Sequence, residues 1–186
     1  MKTLKTLCLC GTLLAAALPL TSCSDDDDEP TLLNESVCGT YDGYTCTYIK
    51  YSDVPMFFKG EQLVVTSTKG NTASVELVSQ AWSTVAEGCT VSLTDGYYVI
   101  EGAATSYIGG HLENGEVGAY YGTLTATISE DGSECECDIS LPGVMGGVTV
   151  QFVKATEEEQ EEAQEETGGV SITGPSSLDG LDFQQE

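Results

Sequence analysis

Thr90-Val91-Ser92-Leu93-Thr94-Asp95-Gly96-Tyr97-Tyr98-Val99-Ile100 is the stretch that decides the fold. Two β-forming runs flank Asp95-Gly96, a dipeptide that supplies the positive-φ residues a tight hairpin demands. Lys69-Gly70-Asn71 and Asp131-Gly132 offer the same turn chemistry elsewhere. Between them Thr, Val, Tyr and Gly dominate, no eleven-residue window spaces its apolar residues as a helix does, and period-two runs take over. Eight strands are expected, over residues 39–51, 61–68, 72–79, 89–94, 97–103, 119–129, 134–141 and 147–154.

Alternation assigns the faces. Leu124, Ala126 and Ile128 oppose Thr123, Thr125 and Thr127, while Cys135, Cys137, Ile139 and Leu141 oppose Glu134, Glu136, Asp138 and Ser140. Val148, Val150 and Phe152 extend the apolar side. Strands that separate apolar from charged groups in this way are half buried in an antiparallel sheet. A domain of this length buries roughly two-thirds of its unfolded surface in one core, and is too short for two. Eight short strands can close into a barrel or stack as a sandwich, and composition does not choose between them.

Charge removes whole classes of function. The chain has 186 residues with 30 Asp plus Glu against six basic residues, all lysine, for a net charge of −24. Residues 31–156 hold fifteen acids and four lysines (Lys50, Lys59, Lys69, Lys154), and the acidic flanks carry the rest. Such a surface repels phosphate backbones, and the lack of arginine removes the bidentate phosphate reader, which argues against nucleic-acid binding.

The first residues read as an export signal. Met1-Lys2-Thr3-Leu4-Lys5 is a basic start, and residues 6–18 are an apolar run too short to span a bilayer core of about 30 Å as a helix. Leu20-Thr21-Ser22-Cys23 looks like a bacterial lipobox, in which residues 1–22 are removed and Cys23 becomes the acylated N-terminus. Each acyl chain then contributes roughly 0.8 kcal/mol per buried methylene, so two or three hold the protein on a membrane. Asp25-Asp26-Asp27-Asp28-Glu29-Pro30 lacks the alternation and glycine turn of a calcium loop and reads as an extended spacer, making 23–36 a lipidated linker. It also resembles the acidic export signal of surface lipoproteins in some Gram-negative bacteria, which points to the outer membrane and its outer face. At the other end, residues 157–186 contain ten acids and no apolar helical stripe, so a solvated, disordered tail with at most a transient helix is expected.

The ends of the central block add a family resemblance. Val37-Cys38-Gly39-Thr40-Tyr41-Asp42-Gly43 and Leu141-Pro142-Gly143-Val144-Met145-Gly146-Gly147-Val148-Thr149-Val150-Gln151-Phe152 are similar to the two ends of the calycin-like lipoprotein family, over residues 37–154. The resemblance implies an all-β domain at 37–156, an eight-stranded antiparallel up-and-down barrel of the lipocalin, fatty-acid-binding protein and avidin kind, with disordered acidic flanks. It implies no particular activity. A lipocalin opens Gly-x-Trp and packs an arginine across that tryptophan. Here Tyr41 holds the matching position, arginine is missing, and Trp82 falls in the connection after the third strand, so that closing pair is expected to be absent.

No constellation in the sequence carries catalysis. His111 is the single histidine, set among glycines in a loop and read as a surface residue; one histidine excludes multi-histidine zinc sites. Glu134, Glu136 and Asp138 recur at about 7 Å along one strand face, read as a solvated outer wall rather than a hydrolytic pair. Cys135-x-Cys137 is neither a redox nor a zinc motif. Cys38, Cys46, Cys89, Cys135 and Cys137 remain in the exported chain, where one or two disulfides are expected, with Cys135 and Cys137 pointing inward. Asn34-Glu35-Ser36 matches a glycosylation acceptor by chance.

Of nine tyrosines, Tyr41, Tyr44, Tyr48 and Tyr51 lie on or beside the first strand, Tyr97 and Tyr98 share the hairpin, and Tyr120 and Tyr121 open the sixth strand. Tyr44, Cys46 and Tyr48 share a face that is either a polar lining or a wet exterior. The sequence therefore reads as a non-enzymatic lipoprotein without catalytic, metal or cofactor residues, held to the membrane through the lipid on Cys23. Its barrel either binds a small apolar ligand or is packed solid and works as a protein or glycan interaction module at the envelope. The first alternative expects side chains too small to fill the lumen, the second a filled interior and an exposed tyrosine cluster.

Overall fold

A computed structural model describes residues 32–79, 82–108 and 118–171. The strands are β1 (Gly39–Ile49), β2 (Met56–Ser67), β3 (Thr72–Val78), β4 (Trp82–Thr94), β5 (Tyr97–Ile108), β6 (Gly118–Ser129), β7 (Cys135–Leu141) and β8 (Val148–Lys154). Each pairs antiparallel with the next, and β1 pairs with both β2 and β8, so the meander closes into an eight-stranded barrel. Thr45 stands at the closure, opposite Phe58 on one side and Phe152 on the other. Closure gives every strand a neighbour on both sides, which is what favours it over a sandwich for strands this short.

The hairpin at Asp95-Gly96 forms as its sequence demands, with φ of 52° and 84°. Register follows from alternation. Leu124 pairs with Ile139, Ala126 with Cys137 and Ile100, and Ile139 with Val150, all facing inward. Gly122 allows β6 to approach β7, since a Cβ there would lie 1.9 Å from the Ser140 carbonyl oxygen. Irregularities at Gly60 in β2 and around Gly88 in β4 shift the register and bend the wall.

The strand edges differ from the alternation reading where bulges interrupt it. β4 runs back through Gly88 to Trp82, so Trp82 opens a strand and does not lie in a connection. There its ring meets Phe58 edge-on at 5.1 Å between centroids. β2 likewise begins five residues before its expected start, beyond the Gly60 bulge.

One end of the barrel, here the base, is closed by the chain that enters it. Helix α1 (Leu33–Ser36) lies within the segment expected to be linker, and Asn34 in it is fully buried. Its Nδ2 donates to the carbonyls of Thr68 (2.9 Å) and Thr72 (2.8 Å), while Asn71 Oδ1 accepts from the Leu33 N–H at 3.0 Å. This plug is pinned to the β2–β3 hairpin, and the chance glycosylation match is a structural residue.

The acidic tail is also corrected over its described part. Helix α2 (Glu157–Thr167) starts from a capping box in which Thr156 and Glu159 exchange bonds, and Gly168 ends it in the left-handed conformation. Strand β9 (Val170–Ser171) then adds in parallel beside Met56 and Phe57 of β2. A tail without an apolar stripe becomes ordered because local caps and one buried polar side chain, Gln160, hold it to the barrel.

Candidate functional site

Apolar and polar side chains share the interior. Leu63, Leu77, Ile100, Leu124, Ile128, Ile139, Phe58 and Phe152 are each buried to within 2% of complete, so the barrel's own side chains occupy its interior. The end opposite the base is the rim, and polar groups sit among the apolar ones: Thr45 lies opposite Phe58 and Phe152, and Thr84 opposite Leu77. Thr84 and Ser106 share a hydrogen bond of 2.6 Å, and Thr45, Thr47 and Glu61 are likewise buried. The hydroxyls of Thr45 and Thr47 and the Trp82 indole N–H have no hydrogen-bond partner among the described residues. Unsatisfied groups of this kind are costly when buried.

The thiols occupy separate compartments. Cys89, Cys135 and Cys137 point into the barrel, as the alternation indicated for the last two. Burial pushes the Cys135 thiol up to about 12, with Lys154 lowering it and Glu136 raising it, and burial likewise raises Cys137. Cys46 faces out from β1, and Cys38 is exposed at the base. The expected one or two disulfides are absent among these residues: all five cysteines are free thiols, distributed over inner wall, outer wall and base.

Glu134, Glu136 and Asp138 line the outer face of the barrel, and Glu134 Oε2 accepts from the Tyr97 hydroxyl at 2.8 Å. Glu134 and Glu136 border an open groove of about 1020 Å³ shared with Asp42, Lys154, Thr156 and Glu159. A smaller concavity of about 340 Å³ lies at the rim between Tyr48 and Gly146-Gly147. Among the described residues no three His, Cys, Asp or Glu side chains converge as metal ligands, and no helix is long and apolar enough to cross a membrane. The signal sequence, Cys23, the acidic spacer, His111 and residues 172–186 lie outside the described residues.

The exposed apolar surface concentrates at one end. Tyr51 (78%), Tyr121 (75%), Tyr48, Val54, Val78, Tyr107 and Met145 all stand exposed near the rim. Tyr107, opposite Ala119, and Tyr121, opposite Thr105, point outward from neighbouring strands two rungs apart. The face shared by Tyr44, Cys46 and Tyr48 is the exterior, exposed at Tyr48 but covered at Cys46, which is only 4% exposed. Sequence reasoning missed that α2 and β9 reach this wall, and the Thr156-x-x-Glu159 capping box was the available signal.

The geometry defines an all-β, eight-stranded antiparallel up-and-down barrel with one plugged end and one aromatic rim. No protein-family model matches the chain, and no curated protein matches it. Among solved structures it is similar to the crystal structure of "a putative outer membrane protein" from Bacteroides fragilis, with a TM-score of 0.55 and 22% identity, over 68% of this chain and 47% of that one. The chain thus spans about half the length of that structure. The likeness is one of fold.

Proposed function

We propose that the protein is a lipid-anchored envelope lipoprotein of the calycin-like kind whose packed, non-enzymatic barrel presents its rim as an interaction surface for a protein or glycan. The observation that carries this is the division of labour between the two ends. The interior is taken up by Phe58, Phe152, Leu63 and their neighbours, while Tyr48, Tyr51, Tyr107 and Tyr121 stand out at the end opposite the one where the chain enters through α1. Tyrosine suits such a surface because it offers large contact area with a polar tip.

The buried polar groups without partners favour a second reading, a small hydrogen-bonding ligand seated against Thr45, Thr47 and Trp82. Native mass spectrometry of the mature chain, with Cys23→Ser for solubility and made in its own host, separates the two. An apo mass, with loss of envelope retention on replacing Tyr51 and Tyr121 by Ser, supports the rim. A mass excess released on denaturation makes the barrel a carrier and overturns the packed-module reading. Protease shaving of whole cells carrying the unaltered chain tests surface display.

A further inference from the structure

β2 has an incomplete edge. Its second half, Gln62 to Ser67, is paired with β3, but its first half extends past the end of that ladder. The chain's own tail takes the place there. Val170 N–H donates to the Pro55 carbonyl at 3.2 Å, β9 pairs with Met56 and Phe57, and Gln160 Oε1 accepts from the Gly60 N–H at 3.0 Å. Gln160 Nε2 meanwhile donates to the Ala155 carbonyl at 3.1 Å, so one buried amide ties the helix to both the edge and its own start.

The same segment covers an apolar patch on the outer wall. Phe57 points outward yet is fully buried, with Tyr44 stacked on it at 4.8 Å and Cys46 opposite it in the ladder. Gly169 lies on Phe57 so closely that a Cβ at that position would sit 3.0 Å from the Phe57 Cβ. The edge therefore accepts an extended strand with glycine over Phe57, followed by a residue such as Val170 that stays exposed.

The cover is weakly held. α2 carries seven glutamates and no base, and places Glu157 and Glu161, Glu158 and Glu162, Glu161 and Glu165, and Glu162 and Glu166 one turn apart. Like charges at this spacing oppose the helix, and Glu165 and Glu166 in its last turn oppose its dipole. The ion pair between Lys59 and Glu161 is long, at 3.9 Å, and exposed. β9 adds only two residues of ladder. Such a unit opens well below the free energy that opens the barrel.

We propose that α2 and β9 form a releasable strap, and that the edge Met56 to Gly60 with Phe57, Tyr44 and Cys46 beside it is a docking surface for an extended strand of another polypeptide. Strand addition of this kind takes affinity from main-chain bonds and specificity from alternate side chains, here the glycine-over-phenylalanine fit. The inference gives the interaction reading a second surface and rests on that reading for the partner; release of the strap stands on its own.

The test uses the mature chain with Cys23→Ser and Cys38→Ser, alkylated at fixed pH and followed by mass spectrometry at each cysteine. Cys46 should react at least about tenfold faster than Cys137, and Gln160→Ala should raise the Cys46 rate about tenfold again while leaving Cys137 unchanged. Replacing Glu158, Glu162, Glu165 and Glu166 by Gln should slow Cys46. Equal rates at Cys46 and Cys137 in every variant would mean that the wall opens only on global unfolding, and would overturn the strap. A fluorescent peptide copying residues 157–171 should bind the Gln160→Ala chain about tenfold more tightly than the parent. Rapid Cys46 labelling without peptide binding would overturn the docking surface. Neither readout involves Tyr51 or Tyr121, so failure of the rim reading remains separately visible in variants of those two residues.

Discussion

Lys154 Nζ lies 5.9 Å from the centre of the Tyr41 ring, joining the last strand of the barrel to the first across its base. An aromatic ring near the start of β1 thus meets a cation at the end of β8. Tyr41 also donates to the Val37 carbonyl at 2.9 Å, and Lys154 Nζ donates to the Gly132 carbonyl. One contact thus fastens the closure, the plug and the β6–β7 turn.

Replacing Lys154 with Met keeps the stem and removes the charge. Cation–π contact and a charged hydrogen bond are together worth on the order of 1–3 kcal/mol, so the melting temperature should fall by several degrees. A melt followed by circular dichroism checks this; an unchanged midpoint would show that the contact contributes nothing to closure.

Asn34→Ala should cost about 1–3 kcal/mol by removing the side-chain donor to the Thr68 carbonyl and leaving the Thr72 carbonyl with the Thr68 N–H alone. Urea unfolding measures it. Hydrogen exchange should quicken first at the β2–β3 hairpin, where the plug is pinned.

Thr47→Val should be neutral or stabilising, within about 0.5 kcal/mol of the parent or above it, because a buried hydroxyl without a partner is replaced by a methyl of the same shape. The same urea experiment decides. A clear loss of stability would mean that this hydroxyl is bonded in solution, and would strengthen the ligand reading.

Alkali should destabilise the fold before lysines titrate fully. Burial moves Cys135 from 9.0 to about 12 and, with Cys135 and Cys38 nearby, Tyr41 from 10.0 to about 12. The folded chain keeps protons that the unfolded chain releases, so this stability is intact below about pH 9 and is lost as pH rises toward about 12. Urea midpoints at rising pH should fall across that window, and Cys135→Ala should flatten the fall.

The walls of the barrel were legible because one face of each strand is wet. Leu124, Ala126, Ile128 and the Cys135 to Leu141 set alternate without interruption, and Asp95-Gly96 can do little else than turn. The limits appear where backbone irregularity or a single contact decides. Ala86-Glu87-Gly88 breaks the period of two, which hid the first half of β4 and misplaced Trp82. The tail reading weighed apolar surface and found none, correctly; α2 is held by a cap and by Gln160, neither of which contributes to hydrophobic periodicity. Closure, likewise, depends on pairing between β1 and β8, residues a hundred positions apart, which no local pattern encodes. The rim was half legible: the tyrosines were visible, their gathering at one end was not.

The strap has a mechanical consequence. The chain enters at the base through α1, and β8 also ends at the base, but α2 carries the backbone along the wall so that β9 lies beside Met56 near the rim. Tension between the two termini is therefore applied lengthwise, loading the ladders in shear while the strap holds. Once α2 and β9 peel away, the points of attachment become the start of β1 and the end of β8, adjacent strands at the same end. The same pull then opens their ladder one rung at a time, so the strap decides whether the barrel meets force as a rivet or as a zip.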